Sequence, residues 1–478
     1  MCHIRSGARE AITMKRRILA LSLLLTVVLA SGFGCKTVSK DVQVKMRPIT
    51  INYWRVWDGP DNFAQIIGEY NKIHPNITIN YRKLRYDEYE QELLNALAED
   101  RGPDIFSINS TWVKRYENKM SPMPAQITMA YPVVRGTLKK ETFPELRTKT
   151  SLTLASLKSN FLDTVYNDVT LEVYDPVLRA NTRKIYALPL AIDTLGTFYN
   201  KDLLNNAGIV ELSPYWNKQF QRDIKKLTKQ SGNGEILQAG VALGTGANIE
   251  RASDILAALI LQNGTTIVDD QGKVLFRQYV REKDYNPGID AIRFYTDFAN
   301  PTKDVYSWNK TLPNSLEMFI QGNLAIFFGY SYDIPIIKAR APKLSFEVKP
   351  FIQIEGRNDP KNVVDYWVET VSSKSRNKVE AWDFVQFMAA QPEMTKLYLN
   401  SSRRVAAVKS LIKDQINDPE LGVFAQQILV ANTWYHGNNF AVADKAFKDM
   451  LDAIADNPDN LDYEARIAEG KIAGSVNQ

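Results

Sequence analysis

The sequence predicts an α/β fold in which largely parallel sheets are flanked by helices. Three observations lead there. Between residues 49 and 108, apolar runs of period two alternate with apolar residues at helical spacing, which is the order that parallel crossover connections require. The stretch from Ile185 to Ile209 reads strand, polar break, strand, short helix. The chain has 478 residues, room for two or three domains of ordinary size.

The elements follow in order. Ile49, Ile51 and Tyr53 alternate with polar residues up to the turn Trp57-Asp58-Gly59-Pro60, so a strand ends there. Phe63, Ile66, Ile67, Tyr70 and Ile73 keep helical spacing. Ile77, Ile79 and Tyr81 form a second strand, and Tyr89, Leu93, Ala96 and Leu97 a second helix. Gly102-Pro103 breaks that helix before a third strand at Asp104–Ile108. In such sheets ligands sit beyond the carboxyl ends of strands. Two of those ends are Trp57-Asp58 and the run from Asn109 to Trp112. Residues 121–183 carry Pro122, Pro124, Pro132 and Pro144 and read as an insertion with helices near Leu152–Val169.

In the central stretch Pro189 keeps its predecessor extended. Asn200 is a good N-cap, Asp202 suits a first helical turn and Gly208 a helix stop. Asp193 lies at the polar break between two apolar segments. Beyond it, helices are expected at Phe220–Thr228, Ala252–Asn263, Ile289–Ala299, Ser315–Gln321, Lys378–Met388, Val423–Leu429, Asp444–Ala455 and Tyr463–Glu469. Strands are expected at Gly240–Leu243, Gly322–Phe328, Phe346–Pro350 and Trp367–Ser373.

Several of these runs carry a resemblance. Tyr186-Ala187-Leu188-Pro189, followed by Tyr199-Asn200-Lys201-Asp202-Leu203-Leu204-Asn205-Asn206-Ala207-Gly208, resembles the crossover segment of the family 1 extracellular solute-binding proteins, the maltose-binding-like receptors of ABC importers. Gly102-Pro103-Asp104-Ile105-Phe106 resembles the family's third strand, and Lys378–Met388 one of its later helices. The resemblance covers residues 48–470 except 121–183. It implies a two-lobed fold of the periplasmic-binding-protein type II kind, each lobe a mostly parallel sheet flanked by helices. One lobe would comprise residues 48–188 and 330–400, the other 189–329 and 401–478. Crossovers fall near 188–192 and 328–332, with a hinge that closes the lobes on a ligand.

The N-terminal segment reads as an export signal. Lys15-Arg16-Arg17 is a positive n-region, Ile18–Ala30 an apolar h-region and Ser31–Gly34 a small-residue stretch. Gly34-Cys35 resembles the end of a lipobox, with Cys35 as the lipidated residue, although Gly32 stands where Leu is usual. Ordinary signal cleavage and an uncleaved anchor are the alternatives. All three export the protein, to the outer face of the cytoplasmic membrane or the periplasm. Residues 36–47 read as a tether. The cations Arg5, Arg9, Lys15, Arg16 and Arg17, against Glu10, lie in residues 1–34, so removing these residues takes the formal charge from +5 to +1. No basic field points to nucleic acid. Cys2 and Cys35 are the only cysteines, and His3, His74 and His436 are far apart, so neither a disulfide framework nor a zinc site is expected. No cofactor is expected, and the protein is expected to act as a monomer.

The candidate binding residues sit at strand ends and loops. Trp57, Trp112, Trp367 and Trp434 offer flat indole faces that suit the C–H faces of a sugar ring, or else pack in the core. Asp58 and Asp193 would satisfy hydroxyls, or else serve as turn residues. The resemblance adds Tyr330, after Gly329 at the second crossover, Arg403, and the loop aromatic pair Trp434-Tyr435. It implies a receptor that captures a polar solute, by default a sugar or oligosaccharide, and delivers it to the membrane subunits of an importer. Two rivals remain: a glycan-acting enzyme using two carboxylates among Asp58, Asp193 and Glu369, and a structural surface lipoprotein without a small ligand. No G-x-S-x-G elbow, P-loop or dinucleotide fingerprint occurs.

Overall fold

The computed structural model describes residues 40–135, 140–269, 271–280 and 284–477. The expected signal segment and Cys35 lie outside the described residues. The described residues divide into two units, one within 40–47 and 130–147 and the other within 48–129 and 148–477. In the first, the expected tether contains the short helix Lys40–Lys45, whose Asp41 and Lys45 complement its dipole.

The second unit holds the two main sheets. Its strands begin with β1 (Ile49–Arg55), β2 (Ile77–Lys83) and β3 (Ile105–Asn109), separated by the helices Asp61–Ile73 and Tyr86–Ala98. The expected insertion consists of two hairpins around the helices Leu154–Asn160 and Asp163–Val169. The first hairpin is β4 (Gln126–Arg135) and β5 (Glu141–Thr150), the second β6 (Thr170–Asp175) and β7 (Ala180–Ile185). Next come β8 (Ala187–Pro189), β9 (Asp193–Thr194) and β10 (Gly196–Asn200). The Asn200 side chain caps the helix Lys201–Asn206 by accepting from the Asp202 and Leu203 amides at 3.0 and 3.1 Å, as its residue type predicts.

The second half continues with the helix Lys218–Leu227, β11 (Lys229–Gln230) and β12 (Ile236–Val241). The helices Ala252–Gln262, Pro287–Asp297 and Ser315–Ile320 lead to β13 (Leu324–Gly329). The helix Asp333–Arg340, β14 (Phe346–Pro350), β15 (Asn362–Asp365) and β16 (Trp367–Val371) follow. The helices Lys378–Ala390, Pro392–Ser402, Lys409–Gln415 and Gly422–Gln427, the short β17 (Ala431–Asn432) and the helices Phe440–Asp456 and Leu461–Val476 complete the chain.

One sheet has the order β2-β1-β3-β16-β8 and the other β11-β12-β13-β10-β14, and a small third sheet, β17-β15-β9, joins them. The chain therefore makes two lobes. Both sheets are mixed rather than largely parallel. In the first, β1 runs parallel to β2 and β3, but β16 runs antiparallel to β3 and β8. In the second, β12 and β13 are parallel and β10 is antiparallel to β13 and β14. A chain that leaves one lobe and later returns enters the old sheet from its other end, and β16 is that returning strand.

The expected second crossover near 328–332, and with it the start of the returning segment at 330, needs correction. After β13 the chain turns through Asp333–Arg340 and adds β14 to the same sheet, with Phe198 opposite Val348. It crosses only after Pro350, through β15, which pairs antiparallel with β9. Gly329 still ends a fully buried strand. A Cβ there would lie 2.4 Å from Asp333 Oδ2, so the absent side chain is what permits this close approach.

Candidate functional site

Strand ends gather at one edge of the first sheet. β1 delivers Arg55 and, just beyond it, Trp57 and Asp58. β16 runs against β3, so its first residue, Trp367, pairs with the last residue of β3, Asn109. A cavity of about 350 Å³ opens at this edge, between these residues and Arg251, Tyr332 and Ile336 of the second lobe. The crossing strands contribute Asp193, Asp365 and Tyr366, and the helix Pro392–Ser402 with its C-terminal extension contributes Tyr398, Arg403 and Arg404.

The first-lobe wall is a charged network under an aromatic rim. Buried Arg55 donates to Asp58 Oδ2 through Nε at 3.0 Å, to the Tyr398 hydroxyl at 2.9 Å and to Glu369. The Tyr53 and Ser107 hydroxyls complete Glu369 at 2.7 and 3.1 Å. Burial pushes the Glu369 carboxyl up, while Arg55 and the two hydroxyls hold it down. Burial opposes the charge on Arg55 in turn, but Glu369, Tyr398 and Asp58 outweigh it and keep the guanidinium ionised. Every charge in the network thus has an opposite partner or a donor, which lets it persist out of water. Arg404 differs. Its guanidinium stands 3.6 Å from Asp58 Oδ1, beyond hydrogen-bond reach, and 5.7 Å above the Tyr332 ring. Its donors face the cavity.

The rim is aromatic. Trp57 stacks on Tyr86 with centroids 4.7 Å apart and stands edge-on to Trp367 at 6.3 Å. Trp57 is 47% exposed and has φ 61°, and the Asp58 amide bonds back to the Val56 carbonyl at 2.7 Å. This is a tight γ-turn of the strained, positive-φ kind. Arg251 and Arg403 also have positive φ, 60° and 51°. Three such non-glycine residues in one cavity wall is a concentration expected of a functional site.

Carboxylates mark the hinge. Asp193 of β9 and Asp365 of β15 are direct partners across the antiparallel pair, an arrangement that is repulsive unless compensated. Asp193 Oδ2 accepts from the Ser331 amide and hydroxyl at 2.9 and 2.5 Å, and burial, opposed by these donors, pushes its carboxyl up to about 6. Asp365 accepts from Asn109 Nδ2 at 2.8 Å and lies 3.6 Å from Arg251. Arg251, at the N-cap of the helix Ala252–Gln262, donates to the Tyr332 hydroxyl and lies over the stacked rings of Tyr330 and Tyr332. Among the described residues no group of His, Cys, Asp and Glu is placed to hold a metal ion.

The cavity thus brings together Trp57, Asp58, Asp193, Trp367 and Arg403 of the expected residues. Four others need correction. Trp112 does not line this cavity: it is half-buried, stacked on Tyr116 and 5.6 Å from Trp367. Tyr330 is fully buried, its hydroxyl donating to Asp254 at 3.0 Å. Trp434 is buried with its indole N–H on the other Asp254 oxygen at 2.8 Å. Tyr435 is buried and donates to the Ser475 carbonyl at 2.9 Å. In each buried case an internal acceptor satisfies the polar atom and removes any need to face the cavity. The sequence reading missed Arg55, Arg251, Tyr332, Asp365, Tyr398 and Arg404. Charged residues at strand or helix ends flanked by apolar runs were the available signal, and Arg55, directly before Val56-Trp57, carried it most clearly.

Comparison with known proteins agrees with the two-lobed fold. The model of the bacterial extracellular solute-binding protein family matches residues 57–395. A protein of Brucella abortus (strain 2308), named there as a binding protein, is 22% identical over 348 residues, 71% of each chain. Among solved structures, the cyclic α-maltosyl-1,6-maltose binding protein of Arthrobacter globiformis aligns with 90% of this chain and 99% of its own, at 16% identity and a TM-score of 0.69. The sugar-binding protein MalE of Xanthomonas citri aligns with 89% of this chain and 97% of its own, at 14% identity and a TM-score of 0.66.

Proposed function

The chain belongs to the bacterial extracellular solute-binding proteins, and from that premise we propose that it captures a sugar or oligosaccharide between its lobes and delivers it to an ABC importer. The observation that carries this reading is the cavity itself. Its volume of about 350 Å³ suits a small polar ligand. Trp57 and Trp367 offer indole faces to the C–H faces of a sugar ring, and Arg404, Asp58 and Asp365 offer donors and acceptors to its hydroxyls. A sugar lacking a matching hydroxyl leaves one of these groups unpaired, which is the source of selectivity. The names of the solved relatives are in keeping with it: one binds cyclic α-maltosyl-1,6-maltose and another is called sugar-binding. Ligand contacts from Arg251 and Tyr332 on one lobe and Trp57 and Asp58 on the other favour closure, to the extent that the closed form binds more tightly.

The family is one of binding proteins, not enzymes, and the carboxylates that a glycosidase would need are otherwise engaged. Asp58 and Glu369 share Arg55, and Asp193 is tied to Ser331. The reading is tested by a thermal-shift screen against monosaccharides, oligosaccharides, polyols, peptides and polyamines. A sugar at 100 times its dissociation constant stabilises by about 2.7 kcal/mol. A shift with a peptide or polyamine and none with any sugar overturns the ligand class.

The protein is exported, as its family is extracellular, and no helix among the described residues is long and apolar enough to cross a membrane. On the sequence alone, lipidation at Cys35 tethers it to the outer face of the cytoplasmic membrane, and it works as a monomer. Cys35→Ala then abolishes lipid labelling and releases soluble protein. Unchanged membrane retention assigns the anchor to the apolar leader instead.

A further inference from the structure

The hairpin β6–β7 ends in an apolar turn that ligand capture does not use. Its strands pair in register from Thr170 opposite Ile185 to Asp175 opposite Ala180, and Pro176-Val177-Leu178-Arg179 closes them. Val177 and Leu178 are 87% and 66% exposed, and Tyr174, just before Asp175, is exposed too. The turn is nonetheless ordered. Asp175 Oδ1 accepts from the Val177 and Leu178 amides at 2.9 and 3.2 Å, the local bonding by which aspartate builds turns. Arg179 takes the left-handed conformation, φ 52°, directly before β7. The turn thus satisfies its own amides and holds two large apolar side chains out in water. Single exposed apolar residues need no explanation, but adjacent ones on an ordered turn do.

The charges of the hairpin point the same way. Arg183 pairs with Glu172, its cross-strand partner, at 3.3 Å, and Lys184 with Asp175 at 3.4 Å. Arg179, exposed at the turn, has no ion pair among the described residues. The turn therefore offers Tyr174, Val177, Leu178 and one uncompensated cation. Three apolar side chains fall far short of the roughly 800 Å² per partner that a stable protein interface buries. A bilayer asks for less: apolar side chains enter the boundary between headgroups and acyl chains, and a neighbouring cation meets anionic headgroups. The same apolar–apolar–cation order ends β4 as Val133-Val134-Arg135, with Val134 exposed. The importer that a receptor of this family serves lies in a membrane, so such a surface is at hand.

We propose that the turn of β6–β7 is a membrane-contact site: Tyr174, Val177 and Leu178 enter the interface of an anionic bilayer while Arg179 binds its headgroups. One turn and one charge make a weak contact. It sets how the exported receptor rests on the membrane, not whether it stays there. The contact depends neither on the class of ligand in the cavity nor on lipidation at Cys35. Its response to conditions follows from its two parts. Salt screens Arg179 and weakens the contact. Lipids without net charge remove the electrostatic part and leave the apolar one, which Val177 and Leu178 carry.

The test places a single fluorescent probe at the turn. In a Cys2→Ala, Cys35→Ala background, Val177→Cys carries a nitrobenzoxadiazole label, an apolar group in place of an apolar side chain. Val210→Cys, at a fully exposed position after the helix Lys201–Asn206, carries the same label as the control. Each is mixed with vesicles of phosphatidylglycerol and phosphatidylethanolamine that contain nitroxide-labelled lipid, and quenching at 177 is compared with quenching at 210. A leader that stays on the chain brings both probes to the vesicle, so the comparison still reports the turn. Quenching is expected to be several times greater at 177. Arg179→Ala lowers the vesicle concentration dependence of that excess about fivefold, the contribution of one basic residue near an anionic surface, and phosphatidylcholine vesicles do the same. Leu178→Ser lowers it further, and all variants melt like the parent. Equal quenching at the two positions overturns the proposal, as does an excess at 177 that is indifferent to both Arg179→Ala and phosphatidylcholine. An unquenched 177 probe that crosslinks to an importer membrane subunit in cells assigns the turn to a protein partner and overturns it as well.

Discussion

Trp57 and Trp434 look alike in the sequence. Each is a tryptophan in a loop just after a short strand, with an aromatic or acidic neighbour. In the structure they are opposites. Trp57 is 47% exposed, held at positive φ, and stacked flat on Tyr86 at the mouth of the cavity. Trp434 is 3% exposed, stacked on Phe447 at 5.5 Å, with its indole N–H on Asp254. What separates them is the acceptor. An indole with an internal carboxylate for its N–H can be buried whole, whereas one lacking it stays at a wet boundary. Asp254 lies 180 residues from Trp434 in the chain, so the local sequence does not reveal the difference.

The largest effect that separates the two is on stability. Trp434→Ala opens a cavity beside Phe440 and Phe447 and takes the donor from one oxygen of the Asp254 carboxyl, which burial already pushes up to about 6. The expected loss is about 3–5 kcal/mol of folding stability, with unchanged sugar affinity in the folded fraction. Denaturant unfolding alongside ligand titration measures both. A Trp434→Ala protein that melts like wild type but binds poorly would put this residue in the site after all.

Trp57→Ala is the mirror experiment and is expected to be smaller. Removing a stacking platform should cost about 1–3 kcal/mol of binding, by analogy with bases stacked on aromatic side chains. Melting should barely move, because the indole is half exposed and its removal relieves a strained turn only in part. If Trp57→Ala leaves affinity intact, the aromatic rim is packing, and sugar capture loses its main support.

The same contrast explains what was legible. The two-lobed α/β fold, the capped helix after β10 and the strand ends carrying Trp57 and Trp367 could all be read, because each rests on local periodicity, capping chemistry or family motifs. The position of the second crossing could not. It depends on whether the strand at Phe346–Pro350 pairs with β10 or leaves the sheet, and β10 lies about 150 residues earlier. The polar half of the site was equally hidden. Arg55 makes sense only beside Glu369, 314 residues away, and Asp193 only beside Ser331, 138 away. Residue type was visible at each position, but the partner that turns a charge inward was not.

Arg403 and Arg404 give the smallest and sharpest version of the comparison. They are adjacent, of one type, and the family resemblance pointed to Arg403. Arg403 ends the helix Pro392–Ser402 in the left-handed conformation, and its guanidinium pairs with Asp418 at 3.2 Å on a side chain 54% exposed. Arg404 follows with a side chain 24% exposed, and its guanidinium is suspended between Asp58 and Tyr332. Both residues line the cavity, but the Arg403 guanidinium already hydrogen-bonds Asp418. Arg404 makes no hydrogen bond of its own through the guanidinium, so a sugar hydroxyl gains a charged donor there without displacing another partner. Arg404→Ala is therefore expected to weaken sugar binding about tenfold, the scale of one hydrogen bond to a charged group. Arg403→Ala should change it less than about twofold, because an exposed ion pair contributes little. Isothermal titration of both variants at one salt concentration decides the matter. If Arg403→Ala is the more damaging of the two, the guanidinium that reaches the ligand is the one now paired with Asp418, and the polar half of the site would have to be redrawn around it.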